Sequence, residues 1–236
     1  MKITILTICP EQFGDFQRTS LIERSIKAGL LDFEVVDIRD FAKGCFRKVD
    51  DSPYGGGAGM ILRCQPVIDA LESVRSQESH VIILAPAGKT YTQKDAHRFA
   101  DKKHLIMICG HFEGMDARIY QYADELISIG DYIITGGELA SMVISDSVMR
   151  LVKGSMKEDS ITEESFENGL LEYPQYTRPS DYKGQKVPEV LLSGNHEAIR
   201  QWRMNESVRV TTEQRPDLMN RADYGDSMSQ CVLQHT

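Results

Sequence analysis

A chain of 236 residues, 41% hydrophobic and 26% charged, suffices for one large domain, or a medium domain with a small appendage, around a proper core. Its five scattered cysteines, odd in number and without a CxxC pair, argue against a disulfide framework and structural zinc and for a reducing cytoplasm. No stretch reaches the roughly 18 apolar residues of a membrane span, and "MKITILTICPEQF" lacks the apolar length and cleavage site of a signal peptide, so no membrane partner is expected.

Short, β-branched apolar runs recur along the chain: "KITILTI", "FEVVDI", "HVIILA", "HLIMIC" and "ELISI". Helix-period stretches separate several of them. The first runs from Phe13 to Leu30, with Gly29 as a C-cap. Continuously apolar strands alternating with helices indicate an α/β fold with a parallel sheet covered on both faces. After Gly137, residues Leu139, Met142, Val143, Met149 and Val152 recur at helical spacing, with Met142 and Met149 read as core. The α/β domain is expected to occupy residues 1–157.

"KEDSITEESFENG" follows, acidic and poor in large apolar residues, so residues 158–172 read as an exposed, flexible acidic linker. Residues 173–236 read as a small C-terminal helical domain, with Asn195 as an N-cap and Ile199 and Trp202 on one helix face. "YGDSMSQCVLQHT" reads as a loosely held tail. The net charge of -8 opposes nucleic-acid binding at first sight. Residues 124–172 hold eleven acidic against three basic side chains, however, which accounts for the whole excess. Residues 173–221 hold eight basic against six acidic ones, which is compatible with a local polyanion surface.

The glycines ask for a ligand. "PYGGGAGM" has no following Lys-Ser/Thr and is no Walker loop, and the first strand runs into "CPEQF" rather than GxGxxG. Taken alone, the glycine-rich loop is a tight turn as readily as a site. Three further loops each follow an apolar strand: "LAPAG" (84–88), "CGHFEG" (109–114) and "IGDYIITGG" (129–137). Ligands of open α/β sheets sit at the carboxyl ends of strands. Bare backbone there can read the edge of a flat, purine-like ring.

"VDDSPYGGGAGM", "CGHFEGMD", "ISIGDYIITGGELA", "GLLEYPQYTRP" and "VPEVLLSGNHEAIRQWR" closely resemble the bacterial tRNA (guanine-N1)-methyltransferase family of the SPOUT class, in order from Met1 to about Leu218. The resemblance implies a trefoil-knotted cofactor site for S-adenosyl-L-methionine, a homodimer with a composite active site, and tRNA as partner. The donor contacts it implies are Leu84, Pro86, Gly88, Gly110, Glu113, Gly114, Ile129, Gly130, Asp131, Tyr132, Ile133, Ile134, Gly136 and Gly137. It leaves Mg2+ open as a helper ion and assigns no metal ligand.

Methylating guanine N1 requires loss of a proton and stabilisation of charge spreading to O6, tasks for a carboxylate base and a nearby cation. The resemblance puts Glu164 at the base and Arg150 beside the guanine. The same residues also read as a solvated charge and as a partner of the acidic linker. Asp50 is a candidate RNA contact or a turn cap. Arg200, Arg203, Arg209 and Arg215 are candidate phosphate contacts. Glu164 stands where the family has aspartate, His111 and Phe112 replace Arg-Tyr, Phe46 a histidine and Lys153 a proline. His111 and His196 read as surface or hydrogen-bonding residues rather than metal ligands. The expected reaction is methyl transfer to N1 of guanine 37, 3′ of the anticodon. The alternatives are a homologue that binds tRNA and donor but transfers weakly, and a nucleotide hydrolase disfavoured by the missing P-loop lysine.

Overall fold

The computed structural model describes residues 1–44, 46–157 and 161–219. The chain divides into two compact units, Met1–Met156 and Lys157–Thr236. The tail from 224, with Cys231, lies outside the described residues, as do Cys45 and residues 158–160 of the expected linker.

In the first unit, strands β1 (Lys2–Thr7), β2 (Asp32–Asp37), β5 (Ser79–Thr90), β6 (His104–Cys109) and β7 (Glu125–Ser128) form one parallel sheet in the order β2-β1-β6-β5-β7. All five apolar runs of the sequence are strands of this sheet. Their alternation divides the core into two layers. Ile3, Ile5, Ile82, Leu84, Leu105 and Met107 face one layer, whereas Leu6, Val81, Ile83, Ile106 and Ile108 face the other. Burying each such side chain contributes roughly 1.5–3 kcal/mol.

The first layer is covered by α1 (Phe13–Phe16), α2 (Ser20–Lys27), α4 (Gln93–Ala100) and α5 (Glu138–Leu151), and the second by α3 (Cys64–Val74). Helix α5 buries Ala140, Ile144 and Val148, every fourth residue, together with Met149, on the first layer. The helix expected over Phe13–Leu30 is two helices. Thr19 is extended (φ −64°, ψ 146°) and its hydroxyl donates to the Phe16 carbonyl, so it ends one helix and starts the next. Gly29 does close α2, at φ +70°: its N–H reaches the Ile26 carbonyl and that of Leu30 reaches Ser25, a Schellman arrangement.

Strands β3 (Asp50–Asp51) and β4 (Ile61–Leu62) pair as a hairpin around the glycine-rich loop. The stretch "LAPAG" differs from its expected form. It lies within β5, whose pairing with β7 breaks register between Leu84 and Lys89, so residues 85–88 bulge from a strand that then resumes. From β7 the chain crosses the end of β5 to reach the end of β6, where Gly137 N–H donates to the Gly110 carbonyl (2.8 Å).

The second unit contains β8 (Asp181–Tyr182) and β9 (Gln185–Lys186), then α6 (Glu189–Leu192), α7 (His196–Gln214) and α8 (Pro216–Met219). Asn195 caps α7 through the Ala198 N–H, as its side chain suggests. Of the segment expected as exposed linker, Thr162, Glu163, Phe166 and Asn168 are exposed, whereas its end packs on α7. Leu170 is buried, Leu171 N–H donates to Thr211 Oγ1 (2.9 Å), and the Ser207 hydroxyl donates to the Leu171 carbonyl. Two adjacent leucines in an acidic stretch supply the apolar contact that its composition obscures.

Candidate functional site

The bulge within β5 and the loops that follow β6 and β7 come together at one edge of the sheet, and their glycines allow the close packing. A Cβ on Gly137 would lie 2.7 Å from Cys109 Cα and 3.0 Å from Gly110 N. One on Gly88 would lie 2.6 Å from the Leu126 carbonyl carbon and overlap the Ile127 backbone. Both are approaches of backbone to backbone, where no side chain can swing aside. Gly136 pairs with His111 across the second and third loops. Gly130 (φ +154°) leaves room for the Tyr132 ring, and Ser128 exchanges hydrogen bonds with it, donating to its carbonyl and accepting from its N–H.

The glycine-rich loop is tied to this cluster from the side. Glu113 N–H donates to the Met60 carbonyl (3.0 Å) and Leu62 N–H to that of Gly114 (2.9 Å). Gly59 (φ +75°) lies against the Glu113 side chain. Phe112 holds a left-handed backbone (φ +59°), a conformation costing a bulky residue of order 1–3 kcal/mol that persists only where surroundings enforce it.

The structure thus brings together Leu84, Pro86 and Gly88 of the first loop, Gly110, Glu113 and Gly114 of the second, and Ile129 to Gly137 of the third. Pro86, Glu113, Asp131, Tyr132 and Ile133 are exposed, with Ile133 82% accessible, whereas Leu84 and Gly137 are buried. The exposed part of these loops carries two carboxylates, Glu113 and Asp131, beside Tyr132 and Ile133. Asp50 is half-buried on β3, and the carboxylate of its neighbour Asp51 accepts from the adjacent Ser52 N–H (2.9 Å).

Arg150 is half-buried in the last turn of α5, in the first unit. Glu164 is half-buried in the second, where its N–H donates to the Ile161 carbonyl and its own carbonyl accepts from Glu167. It lines a groove of about 610 Å³ with Leu171, Tyr173, Ile199 and Arg203. Tyr173 donates to Glu163 (2.6 Å), and Arg203 lies over its ring, 4.7 Å from the centroid. Burial, and then the Glu163 carboxylate, push the Tyr173 hydroxyl up to about 12.

Each candidate phosphate-binding arginine is ion-paired within its own unit. Arg200 pairs with Glu197, Arg203 with Glu163 (3.1 Å), Arg209 with Glu206 (2.7 Å) and Glu213 (2.8 Å), and Arg215 with Asp217 (2.8 Å). Three of these four carry a sequence signal, acids three or four residues away on a helix or two residues away in a turn. Exposed pairs of this kind are worth about 0–1 kcal/mol and can exchange for phosphate at little cost.

The sequence profile described as "tRNA (Guanine-1)-methyltransferase TrmD" matches residues 1–221. The chain belongs to that family. It is therefore a SPOUT-class α/β protein. Among its relatives, a "tRNA (guanine-N(1)-)-methyltransferase" of Geobacillus kaustophilus is 50% identical over 234 residues, covering 98% of this chain and 96% of the relative. A protein of the same name from Malacoplasma penetrans is 50% identical over 218 residues, 92% and 96% of the two chains. A third, from Ruminiclostridium cellulolyticum, is 50% identical over 226 residues, 94% and 97% of each.

One juxtaposition has no counterpart in the sequence reading. Cys9, His111 and Glu138 come from three distant parts of the chain, yet their ligand-type atoms all lie within 4.8 Å of one another. Burial, and after it the Glu138 carboxylate, push the Cys9 thiol up.

Proposed function

We propose that this protein transfers a methyl group from S-adenosyl-L-methionine to N1 of guanine 37 in tRNA, with the first unit binding the donor and the second contacting tRNA. The observation that carries the donor site is the close backbone packing of Gly88 on strand β7 and of Gly137 on the second loop, with no room for a Cβ at either. That packing sets the loops side by side, and the exposed third-loop backbone at Asp131–Ile133 is free to meet the edge of an adenine ring. Bound there, the donor supplies an electrophilic methyl on a sulfonium.

The rest is work for the chain's own residues. Glu164 takes the N1 proton of the guanine, and Arg150 stabilises the charge that moves to O6. Holding N1 in line with the methyl contributes more than either, since positioning is worth roughly 7–11 kcal/mol. An anticodon loop presents its base with little unstacking cost. Asp50 supports the RNA side, and Arg200, Arg203, Arg209 and Arg215 exchange their carboxylates for phosphates.

A homodimer with a composite site is part of the same reading. Ile133, Leu139 and Val143 are exposed by 82, 55 and 50%, the last two one turn apart on α5, and a second copy would cover them. The reaction belongs in the cytoplasm, where tRNA is modified. This agrees with the free thiols of Cys9, Cys64 and Cys109, and none of the described helices is long and apolar enough to cross a membrane. Magnesium is a poorer fit. Among the described residues, the cluster of Cys9, His111 and Glu138 offers sulfur and nitrogen where magnesium prefers oxygen.

The test is transfer of a labelled methyl group to a tRNA transcript with guanine, or with adenine, at position 37. Label is expected on the first alone. Equal labelling of both would overturn the assignment of the target base.

A further inference from the structure

The geometry points to a binding site for a borderline divalent cation, with Zn2+ as its representative, formed by Cys9 Sγ, His111 and the Glu138 carboxylate in the first unit. The three side chains follow β1, follow β6 and open α5. They are 102 and 27 residues apart in sequence but share one corner of the sheet, with Cys9 Sγ 4.0 Å from His111 Nε2. A zinc ion holds sulfur at about 2.3 Å and imidazole nitrogen at about 2.0–2.1 Å, so tetrahedral ligands lie roughly 3.5 Å apart. Cys9 and His111 sit on loops and are only half-buried, so each can close the remaining gap with a small side-chain rotation.

Glu138 supplies an independent argument. It is 2% exposed, and no Lys or Arg among the described residues forms an ion pair with it. A carboxylate withdrawn from water without a cation is costly. One oxygen is already oriented by the Thr7 hydroxyl, which donates to Oε1 (2.6 Å), while the Thr7 oxygen accepts from Cys9 N–H (2.9 Å). That is the outer-shell support expected of a ligating carboxylate. The other oxygen faces His111: a Cβ placed on Gly136 would touch both Glu138 Oε2 and His111 Cδ2.

Thiolate, imidazole and carboxylate together select zinc or cobalt over magnesium or calcium. Three protein ligands leave the fourth position to water. Binding releases the Cys9 thiol proton to solvent, and the His111 proton passes from Nε2 to Nδ1, which gives up the hydrogen bond it accepts from the Phe112 N–H (3.0 Å). Because His111 also pairs with Gly136, the ion would clamp the second loop to the third. None of this depends on the methyl-transfer reading.

The full-length protein, stripped with a chelator, is titrated with Co2+ and then with Zn2+ in competition. One equivalent of Co2+ per chain is expected, with a near-ultraviolet thiolate-to-cobalt absorption that Zn2+ abolishes. Cys9→Ser should lose that absorption, and Cys9→Ser and His111→Ala should each weaken Zn2+ binding by more than the 10–100-fold typical of losing an outer-shell partner. Cys64→Ser should change neither reading. Absence of stoichiometric binding by the parent protein, or an absorption that survives Cys9→Ser, would overturn the site. A melting curve for each variant separates ligand loss from unfolding.

Discussion

Replacing Gly137 by alanine tests the donor site with a single methyl group. The added Cβ would lie 2.7 Å from Cys109 Cα and 3.0 Å from Gly110 N, where ordinary carbon contacts are about 3.5–4.0 Å. Both neighbours are main-chain atoms, so the second and third loops must separate by about 1 Å. Overpacking on this scale costs about 1–3 kcal/mol. If the strain falls on the bound state, donor affinity drops by roughly 5–150-fold, at tenfold for every 1.4 kcal/mol. If it falls on the fold, the melting temperature drops instead. Gly14→Ala is the control, because nothing lies within 4 Å of its Cβ. Calorimetric titration with S-adenosyl-L-methionine, beside thermal melting, reads both quantities. A Gly137→Ala protein that matches the parent in affinity and melting temperature would refute the claim that backbone contact between these loops forms the site.

Glu164→Gln should nearly abolish methyl transfer in single-turnover kinetics while leaving donor affinity unchanged, and Glu164→Asp should keep substantial activity; a fully active Gln variant would send the proton elsewhere. Mixing Gly137→Ala chains with Glu164→Gln chains should restore activity if one site draws on two subunits, and no recovery above the separate proteins would count against the composite dimer. Freeing Arg209 by Glu206→Gln with Glu213→Gln should tighten tRNA binding by up to about fivefold, the worth of ~1 kcal/mol of exposed pairing, and weaker binding in a filter assay would exclude Arg209 as a phosphate contact. Asp95 is a stability probe: burial raises its pKa, but hydrogen bonds from Lys89, Thr92 and Arg98 outweigh burial and hold the carboxyl at about 2. A depressed pKa stabilises above the unfolded value of 3.8 and is lost as pH falls towards 2, so the melting-temperature gap to Asp95→Asn should be widest near neutrality and shrink below pH 4.

The sheet was legible because its strands are buried on both faces and so stand out as unbroken apolar runs, "HLIMIC" most plainly. The existence of helix α5 and the Asn195 cap were legible for equally local reasons. The core face of α5 was not: of the apolar residues read there Leu139 and Val143 are exposed, Met142 is half-buried, and Ala140, Ile144 and Val148 pack inward instead. The break at Thr19 was not, since the apolar period continues through it and only the side-chain bond to Phe16 reveals the stop. Nor was the packing of Leu170 and Leu171 on α7, because acidic neighbours set the composition while two residues set the contact. The glycine loops could be located in sequence, but their reasons could not. That Gly88 lies against the Ile127 backbone, and Gly59 against Glu113, depends on pairings far apart in the chain. The meeting of Cys9, His111 and Glu138 is the extreme case, produced wholly by strand order.

The central claim is tested most directly by locating the methyl group. Purified protein, S-adenosyl-L-methionine and an unmodified tRNA transcript are incubated, and the RNA is digested and sequenced by mass spectrometry. The account predicts one added methyl per tRNA, on N1 of the guanine 3′ of the anticodon. A methyl group on any other nucleotide, or none under conditions where donor and tRNA both bind, would contradict it.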